Sequence, residues 1–269
     1  MKKFLSFLLI LTLAAALLAG CGKPAEKADW EYIADKGTLV IGMTIFDPMN
    51  YRDAEGNLTG FDTELAQAVC EKLGVKAEFI EIDWDNKVLE LQSKSIDCIW
   101  NGMTITEDLK ENIDFSMPYS ENYQTCVINV ANADKYTTLD SMAKAKIGVE
   151  AGSAGASAVA AEAKLAGCEV TTLAAQRNTL IELKSGTLDV AVIDAVMAEA
   201  SVGEGTDYVD LMVVDGVKLS AEEYGIGLRK GSTVTAEKIN DAIQQLANEG
   251  FLAQLQAKYP SVMVTVQAK

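Results

Sequence analysis

Two nine-residue stretches, LQSKSIDCI at residues 91–99 and LKSGTLDVA at residues 183–191, can be laid on one another without a gap. Each runs from a helical pattern through a short polar turn into an aspartate and then an apolar run. The match indicates an internal repeat, and therefore two similar lobes. The same alignment places Gly102 opposite Asp194, so the loops that follow the two apolar runs occupy equivalent places in the two lobes.

Around both stretches, short β-branched runs alternate with helical patterns, which predicts βαβ units and parallel sheets. Strands are predicted at residues 38–43, 76–82, 96–100, 146–150, 169–173 and 188–193. Helices are predicted at residues 62–73, 87–93, 153–165 and 179–184. The expected fold is α/β, a two-lobed clamshell in which each lobe is a mostly parallel sheet flanked by helices.

The remaining segments define the lobes and the connections between them. Residues 30–121 and 222–269 are predicted to form lobe 1, and residues 125–216 to form lobe 2. The tail at 236–259 has apolar residues at helical spacing and is expected to pack on lobe 1. Since the chain crosses twice between the lobes, hinge closure around a ligand is possible, and the loops at the carboxyl ends of the strands should line the cleft.

The amino terminus predicts export and lipidation. Two lysines precede an apolar segment at residues 4–18, which indicates a signal peptide over residues 1–20. The ending Leu18-Ala-Gly-Cys21 resembles a bacterial lipobox, which implies cleavage before Cys21, lipidation of its sulfur and a lipidated linker at 21–29. The protein would then be lipid-anchored at the extracytoplasmic face of the cell membrane. A transmembrane anchor is the alternative, although the apolar stretch is short for one.

Composition excludes several classes of function. The net charge is −16 and becomes −18 when residues 1–20 with their two lysines are removed, which argues against nucleic-acid binding. The chain has no histidine, the commonest general base and metal ligand, and no metal or cofactor is expected. Cys70, Cys98, Cys126 and Cys168 have apolar neighbours, so buried free thiols are expected, while their disulfide state stays open.

A series of motifs, in order and at specific spacings, resembles the polar amino-acid solute-binding proteins of bacterial ABC importers over nearly all of the mature chain. The segments are Gly37–Gly42, Phe46–Tyr51, Gly56–Asp62, Gly102–Thr106, Asp114–Tyr119, Gly148–Ser153, Asp189–Asp194 and Tyr224–Lys230. The resemblance implies a periplasmic-binding-protein clamshell that captures an amino acid, or a closely related small polar amine, and delivers it to the permease subunits of an ABC importer. It implies a binding protein and not an enzyme.

The resemblance also implies roles for individual residues. Aromatic rings at Phe46 and near Trp84 would sandwich the ligand, and Asp194 would accept hydrogen bonds from its ammonium group. The predicted polar cradle for the ligand consists of Asn101, Gly102, Thr104 and, from lobe 2, Ser153. Other roles remain open, since Asp194 could cap the following helix and both aromatic residues could belong to the core.

Two positions depart from the family pattern: Leu109 and, where many relatives carry threonine, Ala154. Thr106-Glu-Asp-Leu109 places a leucine where relatives carry the arginine that grips the ligand carboxylate. Backbone amides and the helix start near Thr106 could replace it. Another cation could do so, and Arg177 is better placed than Arg52 or Arg229. A third possibility is that the ligand is not a free α-amino acid.

Two other functions fit the same fold. A sensory lipoprotein would use the clamshell without a permease, and an adjacent sensor-kinase gene in place of permease genes would indicate it. A dehydratase-like enzyme would need a carboxylate, lysine, tyrosine or cysteine as its acid or base, because histidine is absent, and candidates such as Glu150 and Asp194 already have simpler roles.

Overall fold

The structure, a computed structural model, describes residues 29–269, so the predicted signal peptide and Cys21 lie outside the described residues. The helices are α1 Asp29–Lys36, α2 Phe61–Leu73, α3 Lys87–Gln92, α4 Glu107–Asn112, α5 Ala154–Ala161, α6 Gln176–Ser185, α7 Ala195–Ser201, α8 Thr233–Asn248 and α9 Phe251–Lys258. The strands are β1 Thr38–Met43, β2 Tyr51–Arg52, β3 Leu58–Thr59, β4 Lys76–Glu81, β5 Cys98–Ile99, β6 Ile113–Phe115, β7 Ser120–Asn129, β8 Lys146–Glu150, β9 Glu169–Leu173, β10 Val190–Asp194, β11 Leu211–Val213, β12 Ala221–Tyr224, β13 Gly227–Arg229 and β14 Met263–Val264.

Two sheets carry most of these strands. The smaller has the order β4-β1-β5-β13-β6, and the larger has the order β11-β7-β10-β8-β9 with β12 and β14 also paired to β7. Strand β1 lies parallel to β4 and β5, and β8 lies parallel to β9 and β10. The predicted two-lobed α/β clamshell is confirmed.

The internal repeat is visible in equivalent hydrogen bonds. In the first lobe, Asp97 donates its backbone N–H to the Val40 carbonyl at 2.7 Å and accepts the Val40 N–H on Oδ2 at 2.8 Å. In the second, Asp189 donates to the Lys146 carbonyl at 2.9 Å and accepts the Lys146 N–H at 2.9 Å. Each aspartate therefore ties the start of its own strand to the neighbouring parallel strand.

Strand β7 is the longest strand of the larger sheet and follows β6 of the smaller sheet along the chain. Its first residues pair with β12, where Tyr224 faces Ser120, and with β14, where Met263 faces Glu121. Its later residues pair with β10 and β11. Strands β12 and β14 thus join β7 although they fall in the segment 222–269 predicted for lobe 1, whose β13 lies in the smaller sheet. The lobe boundaries remain a prediction.

The carboxyl-terminal tail forms two helices instead of one continuous helix. The break falls at Gly250, whose φ of 80° is left-handed and therefore favours glycine. Helix α8 packs on α1 and α2 and buries Ile239 and Ile243, while α9 buries Leu255. The tail therefore covers the helical face of the smaller sheet.

All four cysteines within residues 29–269 are free thiols. Cys70, Cys98 and Cys126 are buried, and Cys168 is half-buried. Burial raises the pKa of Cys70 and of Cys126 to about 12, which leaves both as neutral thiols.

Candidate functional site

A cavity of about 220 Å³ lies between the two sheets, at the carboxyl ends of their parallel strands. The first lobe lines it with Thr44, Ile45, Phe46, Trp84, Lys87, Asn101, Gly102, Met103, Thr104, Thr106, Asp108 and Leu109. The second lobe lines it with Glu150, Gly152, Ser153, Ala154, Ser157, Gln176 and Asp194. Seven of the eight predicted site residues therefore meet at one cavity, and Arg177 is the exception.

Two aromatic side chains form part of the wall. Phe46 is 4% exposed and Trp84 is 7% exposed. The Phe46 ring lies against Gly102, whose φ is 54°, and a methyl group on Gly102 would come within 2.6 Å of the ring. Glycine at this position therefore lets the ring approach the end of β5.

The side chain of Asn101 bonds to the protein around the cavity. Its Oδ1 accepts the Thr44 N–H at 3.1 Å and the Thr44 hydroxyl at 2.8 Å. Its Nδ2 donates to the Thr44 carbonyl at 2.9 Å and to Asn50 Oδ1 at 2.7 Å. Asn101 thus fastens the loop after β1 to the end of β5 and serves the cavity by holding its wall.

Gly102 and Thr104 also direct polar groups into the protein. The Gly102 N–H donates to Asp62 Oδ2 at 2.7 Å, and Asp62 also accepts the Tyr119 hydroxyl at 2.9 Å. Burial raises the pKa of Asp62 to about 7. The Thr104 hydroxyl donates to Glu222 Oε2 at 3.0 Å. Two groups of the predicted cradle therefore have partners within the fold.

Ser153 caps a helix that begins at the cavity. Its Oγ accepts the Ala156 N–H at 3.1 Å, and the eight-residue helix α5 starts at Ala154, which also lines the cavity. The amino-terminal end of a helix presents unbonded N–H groups and a partial positive charge. This end of the cavity is therefore suited to an anionic group.

Asp194 ends β10 at the cavity and is 4% exposed. Its Oδ1 accepts hydrogen bonds from Asn122, from Gln124 at 2.9 Å and from the Tyr224 hydroxyl at 2.6 Å, and its Oδ2 accepts one from Gln176. The side chain makes no capping bond to α7, so the helix-cap alternative is wrong. Oδ2 retains capacity for a further donor.

A second carboxylate lies behind Asp194 at the crossing strands. Glu222 Oε2 accepts from Asn122 at 2.9 Å and from Gln124 at 3.0 Å, the same two amides that donate to Asp194. Burial, with the Glu222 charge second, holds the pKa of Asp194 well above its ordinary value. The pair thus favours a bound proton or a positively charged neighbour.

Glu150 ends β8 and faces the same cavity, 4% exposed. The side chain and backbone of Gln176 hydrogen-bond it, and burial, with the Asp194 charge second, raises its pKa to about 8. Because β8 and β10 are adjacent and parallel, their carboxyl ends bring the two acids together.

Lys87 is a site residue that our sequence analysis missed. It is 7% exposed, lines the cavity, and donates from Nζ to the Trp84 carbonyl at 3.1 Å and to the Gly152 carbonyl at 2.8 Å. Burial lowers its pKa, while the Glu150 charge opposes that effect. Lys87 precedes buried Leu91 by four residues in a helix, and this spacing was the sequence signal that both side chains face inward.

Gly152 is where the lobes touch. The Lys87 bond to its carbonyl crosses the cleft, and a methyl group on Gly152 would lie 2.5 Å from Asp85 Oδ1. Its φ of 65° also favours glycine. The cleft is therefore closed at this end by direct contact between the lobes.

None of the three arginines lines the cavity. Arg229 binds Asp29 at 2.6 Å and Asp97 at 3.1 Å inside lobe 1, and Arg52 is exposed. The predicted placement of Arg177 at the site differs from the structure, because Arg177 is exposed in a neighbouring depression while the preceding Gln176 faces the cavity. Leu109 lines the cavity and packs against the cluster that contains Trp84.

The chain matches a known family of proteins. The family described as bacterial extracellular solute-binding proteins, family 3, matches residues 39–261. The L-cystine-binding protein TcyJ of Escherichia coli K12 is 29% identical over 94% of each chain. The L-arginine-binding protein of Pseudomonas aeruginosa is 31% identical over 85% of this chain and 89% of its own. The solved structure of an ancestral arginine-binding protein bound to arginine is 38% identical, with a TM-score of 0.77, and covers 83% of this chain and 98% of its own.

The buried acids predict a pH dependence of stability. Between the ordinary glutamate pKa and about 8, the folded protein keeps a proton on Glu150 that the unfolded chain has released. The free energy of unfolding should therefore fall as the pH rises from 5 to 8. Glu150→Gln should reduce that fall by up to about 1 kcal/mol per pH unit, measured by urea unfolding without ligand.

The control is Glu237→Gln on the exposed face of α8, which should follow the native protein. An equal pH-dependent fall in the native protein and in Glu150→Gln would contradict the assignment of a retained proton to Glu150.

Proposed function

Because the chain belongs to family 3 of the bacterial extracellular solute-binding proteins, we propose that it captures an amino acid, or a closely related small polar amine, and delivers it to an ABC import permease. Relatives named for L-cystine and L-arginine binding support an amino acid as the ligand. We assign the cavity to capture between the lobes, and we assign its acids binding roles in place of catalytic ones.

The observation that carries this proposal is Asp194. A carboxylate removed from water needs a positive partner or a proton to offset the cost of desolvation. Three donors already satisfy Oδ1, and Gln176 supplies one donor to Oδ2, which leaves Oδ2 available to a ligand. An ammonium group at this position would neutralise Asp194 through a charge-assisted hydrogen bond.

The ligand carboxylate would lie toward Lys87 and the start of α5. Lys87 is the cation in the cavity lining within residues 29–269, and it stands in the lobe whose Leu109 replaces the family arginine. Two of its three N–H donors bind the Trp84 and Gly152 carbonyls, which holds the charge in place. The helix end at Ala154 would add N–H groups from the opposite lobe.

The two aromatic side chains would bind the apolar part of the ligand. Phe46 and Trp84 both line the cavity while mostly shielded from solvent. Rings placed in this way contribute apolar area and exclude water, which strengthens the polar contacts beside them. We assign them the role of ligand platforms.

The first test is thermal unfolding of residues 22–269 with a panel of amino acids and amines. A ligand at about 100 times its dissociation constant adds about 2.7 kcal/mol, which raises Tm by roughly 5–10 °C for a chain of this size. Asp194→Asn should abolish the rise in Tm, because the side chain that pairs with the ligand ammonium group loses its charge. The exposed Asp215→Asn should keep it.

Lys87→Met provides an independent variant for this test, since Asp194→Asn also alters the network at the crossing strands. It should weaken binding of α-amino acids by removing the carboxylate partner. A well-folded native sample with no shift from any amino acid or amine would overturn the proposal.

We also propose that the protein is a lipoprotein at the extracytoplasmic face of the cell membrane, anchored through Cys21. Within residues 29–269, no helix is long and apolar enough to cross a membrane. Cys21→Ala in the full chain should move the protein from the membrane fraction to the soluble fraction and abolish incorporation of labelled fatty acid. Retention of the variant in the membrane would contradict lipid anchoring.

A further inference from the structure

We propose that the cleft selects a ligand with a net positive charge, a basic amino acid or the amine that remains after its decarboxylation, and that Glu150 is the specificity-determining residue. This inference rests on the proposed capture function. In addition to Asp194, which would bind the ligand ammonium group, it assigns Glu150 as a second acidic partner of the ligand. The two acids end adjacent parallel strands of the second lobe and both line the cavity.

The two carboxylates form one recognition surface joined by Gln176. The Gln176 side chain donates to Asp194 Oδ2, accepts the Asp194 N–H on Oε1 at 3.0 Å, and hydrogen-bonds Glu150. This amide positions both acids without neutralising either of them. The surface therefore offers negative charge at two points of the same wall.

The charge of the buried lining is unbalanced. Glu150 and Asp194 are each 4% exposed, and Lys87 is the single buried cation among the lining residues that the structure describes. With all three ionised, the lining has a net charge of −1. A zwitterionic ligand would leave that charge to be neutralised by a proton held on one of the acids, whereas a ligand with a net charge of +1 would balance it with both acids ionised.

Groups on the surrounding elements do not remove this imbalance. Lys87 lies on α3, and its positive charge interacts with Glu150. Asp83 and Asp85 interact with the same lysine, so its charge is shared among three carboxylates. Glu222 stands behind Asp194, and Asp108 lies exposed at the cavity. The family arginine would have supplied another positive charge, and Leu109 removes it. Each of these features favours a cationic ligand in the cleft.

The two members of the class differ only in the carboxylate. A basic amino acid would place its α-ammonium at Asp194, its side-chain cation toward Glu150 and its carboxylate toward Lys87. A decarboxylated amine would meet the two acids alone and, with two positive charges, would exceed the −1 of the lining by one, so the charge balance favours the basic amino acid. Their shared chemistry is a cation that meets Glu150, and this cation sets the selectivity.

The experiment is calorimetric titration with pairs of ligands of matched shape. L-arginine and L-citrulline differ by the guanidinium charge, and L-arginine and agmatine differ by the carboxylate. The native protein should bind L-arginine or agmatine at least about 10-fold more tightly than L-citrulline, because L-citrulline lacks the charge that Glu150 would meet and a charge-assisted hydrogen bond is stronger than a neutral one. L-lysine and cadaverine repeat the comparison with an ammonium group.

Glu150→Gln should lower the preference for L-arginine over L-citrulline by about 10-fold or more, through weaker binding of the cation. Glu237→Gln, on an exposed face, should leave the preference unchanged. Tighter binding of L-arginine than of agmatine would identify a basic amino acid as the ligand, and the reverse would identify an amine. Both results support selection by charge.

Equal or tighter binding of L-citrulline, L-glutamine or L-cystine by the native protein would overturn the inference and leave the proposed capture of an amino acid standing. This comparison uses the native protein, so it does not depend on the folding of a variant. Absence of binding by every amino acid and amine would instead overturn the proposed function itself.

Discussion

The hydrogen-bonded carboxylate of Asp194 joins the parts of this molecule that have to act together. Its donors come from crossing strand β7 through Asn122 and Gln124, from the returning strand β12 through Tyr224, and from α6 through Gln176. One buried charge therefore connects the end of a central strand, both crossings and the cleft. A ligand that binds Asp194 and changes its charge state would therefore affect the hydrogen bonds of the two crossing strands as well as the cavity.

The fold could be predicted largely from the repeat. Asp97 and Asp189 each directly precede a strand and bond the backbone of a neighbouring strand, so the two stretches with matching sequences perform matching structural tasks. The sequence pattern left open the details that backbone geometry or long-range pairing decides. The left-handed Gly250 divides the tail helix, and β12 and β14 add to β7, because long-range pairing leaves little trace in a short segment.

The site was predicted in position but not in all its chemistry. Phe46, Trp84 and Asp194 line the cavity as expected, whereas the Asn101 side chain is used in fastening the cavity wall. The sequence could not separate Gln176 from Arg177, since adjacent helical positions differ by about 100° in direction. Lys87 was not predicted, although its spacing of four from buried Leu91 in a helix directs both side chains inward.

The central claim is that a positive group of the ligand meets the two buried acids of the second lobe. Calorimetric titration of the tightest ligand at pH 7, in buffers with different ionisation enthalpies, tests it most directly. Because burial raises the pKa of Glu150 to about 8 and also raises that of Asp194, the free protein holds protons that a cation displaces. We expect a net release of protons on binding, smaller in Glu150→Gln. Binding with no proton release, or with uptake, would contradict the account.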